Sequence, residues 1–205
     1  MRFNRRLIRT YMAVVAVASL ALPAAAQNSD TRSTARVDLS TIGIDNFGRI
    51  DAEYFRGGQP KGHDYADLAA LGVRTVINLT GDDASAAEKT MVEATGMKYV
   101  QIAMTTHETP TAAKIAQFLK IVDDPASEPV YVHCVGGRHR TGVMTAVYRM
   151  TNDGWSADQA FAEMKRFKFG ADFLHSEFKQ FVYAYGANLA AAAAAPASAN
   201  AKVGG

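Results

Sequence analysis

The chain has 205 residues, with 22 Lys+Arg against 20 Asp+Glu for a net charge of +2, and one cysteine. That balance excludes a generally basic, nucleic-acid-binding surface, and a lone cysteine excludes a disulfide-stapled scaffold. The length suits one ordinary domain with segments to spare at its ends.

The first segment reads as an export signal. Arg2, Arg5, Arg6 and Arg9 form a basic head, an uncharged apolar run follows from Tyr11 to Leu22, and Pro23 leads into Ala24-Ala25-Ala26. Basic head, short apolar stretch and small-residue end are the parts of a secretory signal peptide, here residues 1–26. The run is shorter than the about 20 residues that a membrane span needs. These 26 residues hold four arginines and no acid, so their removal turns the net charge from +2 to about −2. The expectation is an exported protein, periplasmic or secreted, with no stable membrane insertion after signal cleavage and no nucleic-acid partner.

Residues 27–41 are polar, lack periodicity and read as a flexible N-terminal segment. Tyr54, Arg56 and Gln59 read either as a rim of a pocket or as a packing segment. Asp64 to Leu71 reads as a short helix stopped by Gly72, and Val73 to Leu79 as a buried strand rich in β-branched residues. Ala84 to Thr95 has helical composition and stops at Gly96, and Lys98 to Met104 is a second strand. Thr109 reads as the cap of a helix with Pro110 in its first turn, continued by Ile115, Phe118, Leu119 and Val122 at helical spacing. Pro129 to His133 is a third strand, short and apolar, and Arg140 to Met150 returns to helix. Ser156-x-x-Gln159 is a capping box that opens a helix to about Phe167, and a last helix runs from about Asp172 to Tyr185. Residues 187–205 are nearly all alanine with nothing large to bury, and read as a disordered tail behind a domain of residues 42–186. Strands alternating with helices indicate an α/β domain with a central, mostly parallel sheet flanked by helices.

The chemistry is concentrated in Val130-Tyr131-Val132-His133-Cys134-Val135-Gly136-Gly137-Arg138-His139-Arg140-Thr141-Gly142. A buried strand ends at His133, a turn with two glycines follows, and a helix begins near Arg140. In such a junction the N–H groups of Val135, Gly136, Gly137, Arg138, His139 and Arg140 can converge on one point, and the helix N-terminus adds partial positive charge there. Gly136 and Gly137 permit the backbone angles and the close approach. The dipoles that hold a phosphate also stabilise a thiolate, which makes Cys134 a nucleophile aimed at phosphorus. Arg140 can grip two phosphate oxygens with its planar fork, and Thr141 can donate its hydroxyl to the sulfur. His133 either orients the loop and helps hold the cysteine ionised, or is a strand-end histidine bonded to backbone. No further Cys or His completes a zinc spacing, so neither metal nor other cofactor is expected.

His-Cys-x5-Arg-Thr-Gly resembles the signature of the protein tyrosine and dual-specificity phosphatase superfamily. Gly137-Arg138-His139-Arg140-Thr141-Gly142 is similar to the loop of the plant and fungal atypical dual-specificity phosphatases, with Arg138 where that family has lysine. Phe47-Gly48-Arg49-Ile50, Tyr54-Phe55-Arg56-Gly57-Gly58-Gln59-Pro60, Thr75-Val76-Ile77-Asn78-Leu79, Trp155-Ser156 and Glu163-Met164-Lys165-Arg166-Phe167 resemble other landmarks of the family. The resemblance spans about Phe47 to Tyr183. It implies a three-layer tyrosine-phosphatase-like domain and hydrolysis through a phosphocysteine intermediate.

Many superfamily members place an aspartate about 30 residues before the cysteine, as the acid for the leaving group. Here that region holds His107 and Glu108 instead. His139, Asp82 and Asp83 are the other candidates. The expected partner is a phosphorylated protein or a small phosphorylated molecule, by phosphotyrosine, phosphoserine, phosphothreonine or inositol-phosphate chemistry. The family resembled includes enzymes that cleave inositol pyrophosphates, and the row Arg138-His139-Arg140 suits polyphosphorylated substrates, whereas export argues against a cytosolic one. The alternatives are a catalytically weak module that binds phospho-ligands, a rhodanese- or arsenate-reductase-like enzyme, and a lipid phosphatase at a membrane surface.

Overall fold

The computed structural model describes residues 39–81 and 83–195. Five strands are present: β1 (Gly48–Arg49), β2 (Tyr54–Gly57), β3 (Thr75–Thr80), β4 (Lys98–Met104) and β5 (Val130–His133). Six helices accompany them: α1 (Asp64–Ala70), α2 (Glu88–Ala94), α3 (Ala112–Val122), α4 (Arg140–Asn152), α5 (Ala157–Arg166) and α6 (Ser176–Ala194). The sheet order is β1-β2-β5-β3-β4, with β1 antiparallel to β2 and every other pair parallel. β5 lies between β2 and β3, and one row of the sheet aligns Gly57, His133 and Asn78. The loop after β5 therefore leaves the carboxyl edge of a parallel sheet at the point where the strand order turns back, the ordinary position for a ligand site.

Side-chain alternation along the strands sorts the core into two layers. Ile77, Leu79, Val130 and Val132 pack with Phe118 and Val122 of α3 and Met144 of α4. Val76, Phe55 and Tyr131 face the other way, against Tyr65 and Leu68 of α1 and Val92 of α2. β5 is buried along its whole length, which explains its uninterrupted apolar reading. A third cluster joins α4, α5 and α6 through Val143, Ala146, Phe161, Met164 and Phe178. This is the three-layer α/β architecture expected from the sequence.

Several boundaries differ from the sequence reading. β2 joins the sheet as a fully buried strand although it carries an arginine, and β1 is a two-residue pairing too short to leave a periodicity. α2 begins at Glu88 rather than Ala84. α3 is capped by Thr111, whose hydroxyl accepts from the Lys114 N–H at 3.3 Å, not by Thr109. α6 begins four residues later than expected and continues to Ala194, through part of the stretch read as a disordered tail. Leu189 packs against the third core cluster, so the helix does have an apolar contact to extend along. Residues 1–26, most of residues 27–41 and residues 196–205 lie outside the described residues.

Gly72 and Gly96 do end α1 and α2, at φ +88° and +82°. The capping box also forms: the Ser156 hydroxyl accepts from the Gln159 N–H, and the Gln159 side chain accepts from the Ser156 N–H. Ser156→Ala should cost about 1 kcal/mol in urea unfolding. An unchanged midpoint would mean that tertiary packing alone fixes the start of α5.

Candidate active site

The loop from Cys134 to His139 joins the buried end of β5 to the first turn of α4. A cleft of about 240 Å³ opens over it, lined by Asp83, Thr106, Cys134, Val135, Gly136, Arg138, His139 and Arg140. Gly137 alone in the loop takes a left-handed conformation, at φ +63°. A Cβ on it would lie 2.4–2.7 Å from the Gly57 and Gly58 backbone, so only glycine fits. Gly136 has no such constraint, because a Cβ there meets only the Arg138 side chain at ordinary distance.

The carbonyls on the back of the loop are taken up by the segment around β2. The Gln59 N–H donates to the Val135 carbonyl at 3.0 Å. The Gly137 carbonyl accepts from Arg56 Nη2 at 2.5 Å and from Asn46 Nδ2 at 2.8 Å. In a planar trans peptide the N–H points opposite to the C=O, so fixing these two carbonyls outward aims the Gly136 and Arg138 N–H groups the other way. Arg56 is thus fully buried behind the loop rather than on a rim, and Tyr54 is buried in the core with its hydroxyl on Thr145.

Cys134 is nearly buried at the floor of the cleft. Preceding it, His133 is fully buried, with Nε2 2.9 Å from Glu88 Oε1, so its partner is a carboxylate and not backbone. Glu88 also accepts from Gln59 Nε2 at 2.6 Å and from Asn78 Nδ2. Burial alone would push the Glu88 carboxyl up. Hydrogen bonding and charge from His133, with the bonds from Gln59 and Asn78, outweigh it and hold the pKa below the ordinary value. The Thr141 hydroxyl is buried and forms no hydrogen bond among the described residues, to Cys134 or to any other group.

The acid candidates separate clearly. His107 and Glu108 are exposed, and only their neighbour Thr106 lines the cleft. Asp82 lies outside the described residues. His139 lines the cleft, but its Nε2 is 3.0 Å from the Phe169 carbonyl and its ring centroid lies 3.8 Å from that of His175. Burial and the neighbouring His175 lower its pKa, which disfavours the protonated form that an acid needs. Asp83 lines the cleft and forms a two-point pair with Arg140, Oδ1 on Nη1 and Oδ2 on Nη2, both at 2.7 Å. The hydrogen bonds and charge of Arg140 outweigh a smaller effect of burial and keep the Asp83 carboxyl below the usual range.

A family model described as "DSP-PTPase phosphatase fused to NAD+ Kinase" matches residues 33–181. This chain belongs to the DSP-PTPase phosphatase family. Among its relatives is the probable tyrosine-protein phosphatase DG1060 of Dictyostelium discoideum, 30% identical over 60% of this chain and 75% of that one. Inositol diphosphatase SIW14 of Saccharomyces cerevisiae is 26% identical over 65% of this chain, a match that spans only 49% of the yeast protein. The dual specificity protein phosphatase TpbA of Pseudomonas aeruginosa is 27% identical over 71% of this chain and 65% of its own length. The fold agrees with the SIW14 catalytic core at a TM-score of 0.62, with 23% identity over 74% of this chain and 92% of that one. The crystal structure of TpbA gives 0.59, at 25% identity over 75% of this chain and 94% of TpbA. The chain is a cysteine-dependent phosphatase of the dual-specificity and tyrosine type.

The cationic row of this DSP-PTPase loop is less open to ligand than its sequence suggests. Arg138 pairs with Asp45 at 3.7 Å, and Lys168 pairs with the same carboxylate at 2.9 Å. The residues that sequence reasoning missed are Asn46, Glu88 and Asn78. Asn78 lies in the run read as a buried strand, Glu88 in the segment read as helix by composition, and Asn46 in no predicted element, so none of them carries a signal of its own. Because the Glu88 carboxyl is held below its ordinary pKa, it stabilises the fold above that ordinary value, and the stabilisation disappears as pH falls through the lowered one. Glu88→Gln should therefore be less stable at neutral pH by about 1–3 kcal/mol and show a flatter loss of stability as pH falls below the ordinary carboxyl range in thermal unfolding. Parallel acid limbs in the two proteins would contradict this account of Glu88.

Proposed function

We propose that the chain is an exported phosphatase that hydrolyses phosphate monoesters through a phosphorylated Cys134, with Arg140 gripping the phosphate and Asp83 serving the leaving group. The observation that carries this reading is the convergence of Cys134, Arg140 and Asp83 on one cleft, over a loop whose carbonyls are fixed outward. Export rests on the residue pattern of positions 1–26. No helix among the described residues is long and apolar enough to cross a membrane.

In the reaction the Cys134 sulfur forms a bond to phosphorus as the bond from phosphorus to the leaving oxygen breaks. Loop N–H groups and Arg140 carry the charge of the non-bridging oxygens. The phosphate dianion competes with Asp83 for Arg140 and adds negative charge beside it. Both effects raise the carboxyl pKa, so binding of substrate favours the protonated acid that the departing oxygen requires. In the second half, Asp83 takes a proton from water as the water oxygen attacks phosphorus, the sulfur–phosphorus bond breaks, and phosphate and thiolate are released. Thr141, in the first turn of α4 with an unbonded hydroxyl, is the donor proposed for the departing sulfur, and His133, held by Glu88, keeps the base of the loop in place.

Aryl monoesters fit this arrangement best. A phenolate leaving group, with a parent pKa near 10, needs an acid. The cleft also offers an apolar side chain at its lining, Val135, which is exposed in the loop. Asp45 meanwhile neutralises the cations that would attract several phosphates. Relatives include both a tyrosine-protein phosphatase and inositol diphosphatases, so the test must set the two chemistries side by side.

The experiment is phosphate release by the full chain in chelator from phosphotyrosine peptide, phosphoinositides and inositol pyrophosphates, with Cys134→Ser in parallel. Preferred turnover of the phosphotyrosine peptide, abolished by Cys134→Ser, is expected. Activity that survives in Cys134→Ser contradicts the nucleophile, and preferred turnover of the pyrophosphate contradicts the substrate class. Asp83→Asn should lower kcat on aryl phosphates with poor leaving groups by about 10²-fold, and far less on activated ones. Equal effects across the leaving-group series would remove Asp83 from the acid role. Export is tested by fusing residues 1–41 to a reporter that is active only outside the cytoplasm; a reporter silent there contradicts it.

A further inference from the structure

Arg56 is a cation in a place that ordinarily expels one. Its side chain is fully buried, and no carboxylate among the described residues forms an ion pair with it. Nη2 donates to the Gly137 carbonyl at 2.5 Å, whereas Nε and Nη1 are buried without hydrogen-bond partners. The guanidinium carbon lies 4.0 Å from the centroid of the Phe167 ring, so one face of the group is stacked. Burial lowers its pKa, opposed by Tyr54, by Glu163 and by the nearby Cys134. Glu163 is itself engaged by Arg149 at 3.0 Å and by Arg166 at 3.6 Å. Leaving a charge unpaired in the interior is strongly unfavourable unless something compensates it. The one hydrogen bond that this guanidinium makes among the described residues goes to the loop between Cys134 and His139.

We propose that Arg56 is a positioning residue of the phosphate cradle: with Asn46 it pins the Gly137 carbonyl outward, which aims the Arg138 N–H at the bound oxyanion, and its charge faces that anion from behind the loop. The inference rests on the reading of residues 134–140 as a phosphate site. Two features of the structure support it beyond the hydrogen bond. Asn46, at φ +56°, spends one side-chain N–H group on the Gly137 carbonyl and also donates to the Phe167 carbonyl, so it ties the ring that stacks on Arg56 to the same peptide. Gly137 must be glycine because the Gly57–Gly58 backbone, directly after Arg56, lies against it. Cation, amide and glycine contact therefore hold one peptide in one orientation. A purely structural residue at position 56 would need neither charge nor donor, and methionine would fill the same space over Phe167.

Orthovanadate, which occupies a phosphate site without turnover, is the probe. The full-length wild type, Arg56→Met, Arg56→Lys and Asn46→Ala are compared for vanadate inhibition constant, for kcat and KM on an aryl phosphate, and for thermal midpoint. The expected result is vanadate binding weakened by at least about tenfold in Arg56→Met, with kcat reduced more than KM is raised, and largely restored in Arg56→Lys. Asn46→Ala should show a weakening of about threefold to tenfold. Arg56→Met with wild-type vanadate affinity, or Arg56→Lys as impaired as Arg56→Met, overturns the proposal. If Arg56→Met does not fold, Asn46→Ala decides, and unchanged vanadate affinity there overturns the proposal. A wild type that binds no vanadate would instead overturn the phosphate-site reading on which it rests.

Discussion

A backbone loop that turns several N–H groups toward one point must find partners for the carbonyls it turns away, because an unpaired buried carbonyl costs free energy comparable to a lost hydrogen bond. In this protein the partners come from the segment around β2. Gln59 takes the Val135 carbonyl, and Arg56 with Asn46 takes that of Gly137. The parallel pairing of β2 with β5 places the two segments side by side and leaves no space for a side chain at position 137. The sheet order, the buried arginine and the glycine thus serve one geometric requirement. The cradle we propose is therefore fixed by the fold itself, and preorganised dipoles of this kind stabilise transition states effectively because they need no rearrangement.

Charge in the site is arranged in pairs that substrate can rearrange. Asp83 holds the fork of Arg140 by two hydrogen bonds, and in the proposed reaction a phosphate that competes for that fork changes the ionisation of the carboxylate it displaces. Asp45 shares Arg138 and Lys168 at the mouth, so only part of the positive charge that the sequence shows is directed at ligand. Deeper in, Glu88 anchors His133 and Gln59 together, so one carboxylate supports the strand end before Cys134 and the segment that holds the loop's carbonyl.

Much of this was legible in the sequence because strand–turn–helix junctions leave local signals. The β-branched runs before Asn78 and around Val130, the two helix-ending glycines and the Ser156 capping box all report on nearest neighbours, and the structure repeats them. The spacing of Cys134 and Arg140 is of the same local kind. What was not legible depends on contacts between distant segments. Arg56 reads equally as pocket rim or as packing segment until β2 is paired with β5 and Phe167 covers the guanidinium. Glu88 carries no signal of its own within the segment read as helix, because the groups that close around it, Asn78, Gln59 and His133, come from three other segments. The alanine-rich end reads as tail because it has almost nothing large to bury, and only the contact of Leu189 with the third core cluster shows why α6 continues.

The central claim is a covalent bond between Cys134 and phosphorus, and its most direct test is to trap that bond. The full chain is mixed with an aryl phosphate, quenched in acid within the first turnover, digested, and the Cys134 peptide is weighed by mass spectrometry. The account predicts one phosphate of added mass on that peptide, accumulating with the first equivalent of released phenol and increasing when the second step is slowed by Thr141→Ala. Full turnover with the Cys134 peptide unmodified at every quench time, or the phosphate on another residue, would contradict it.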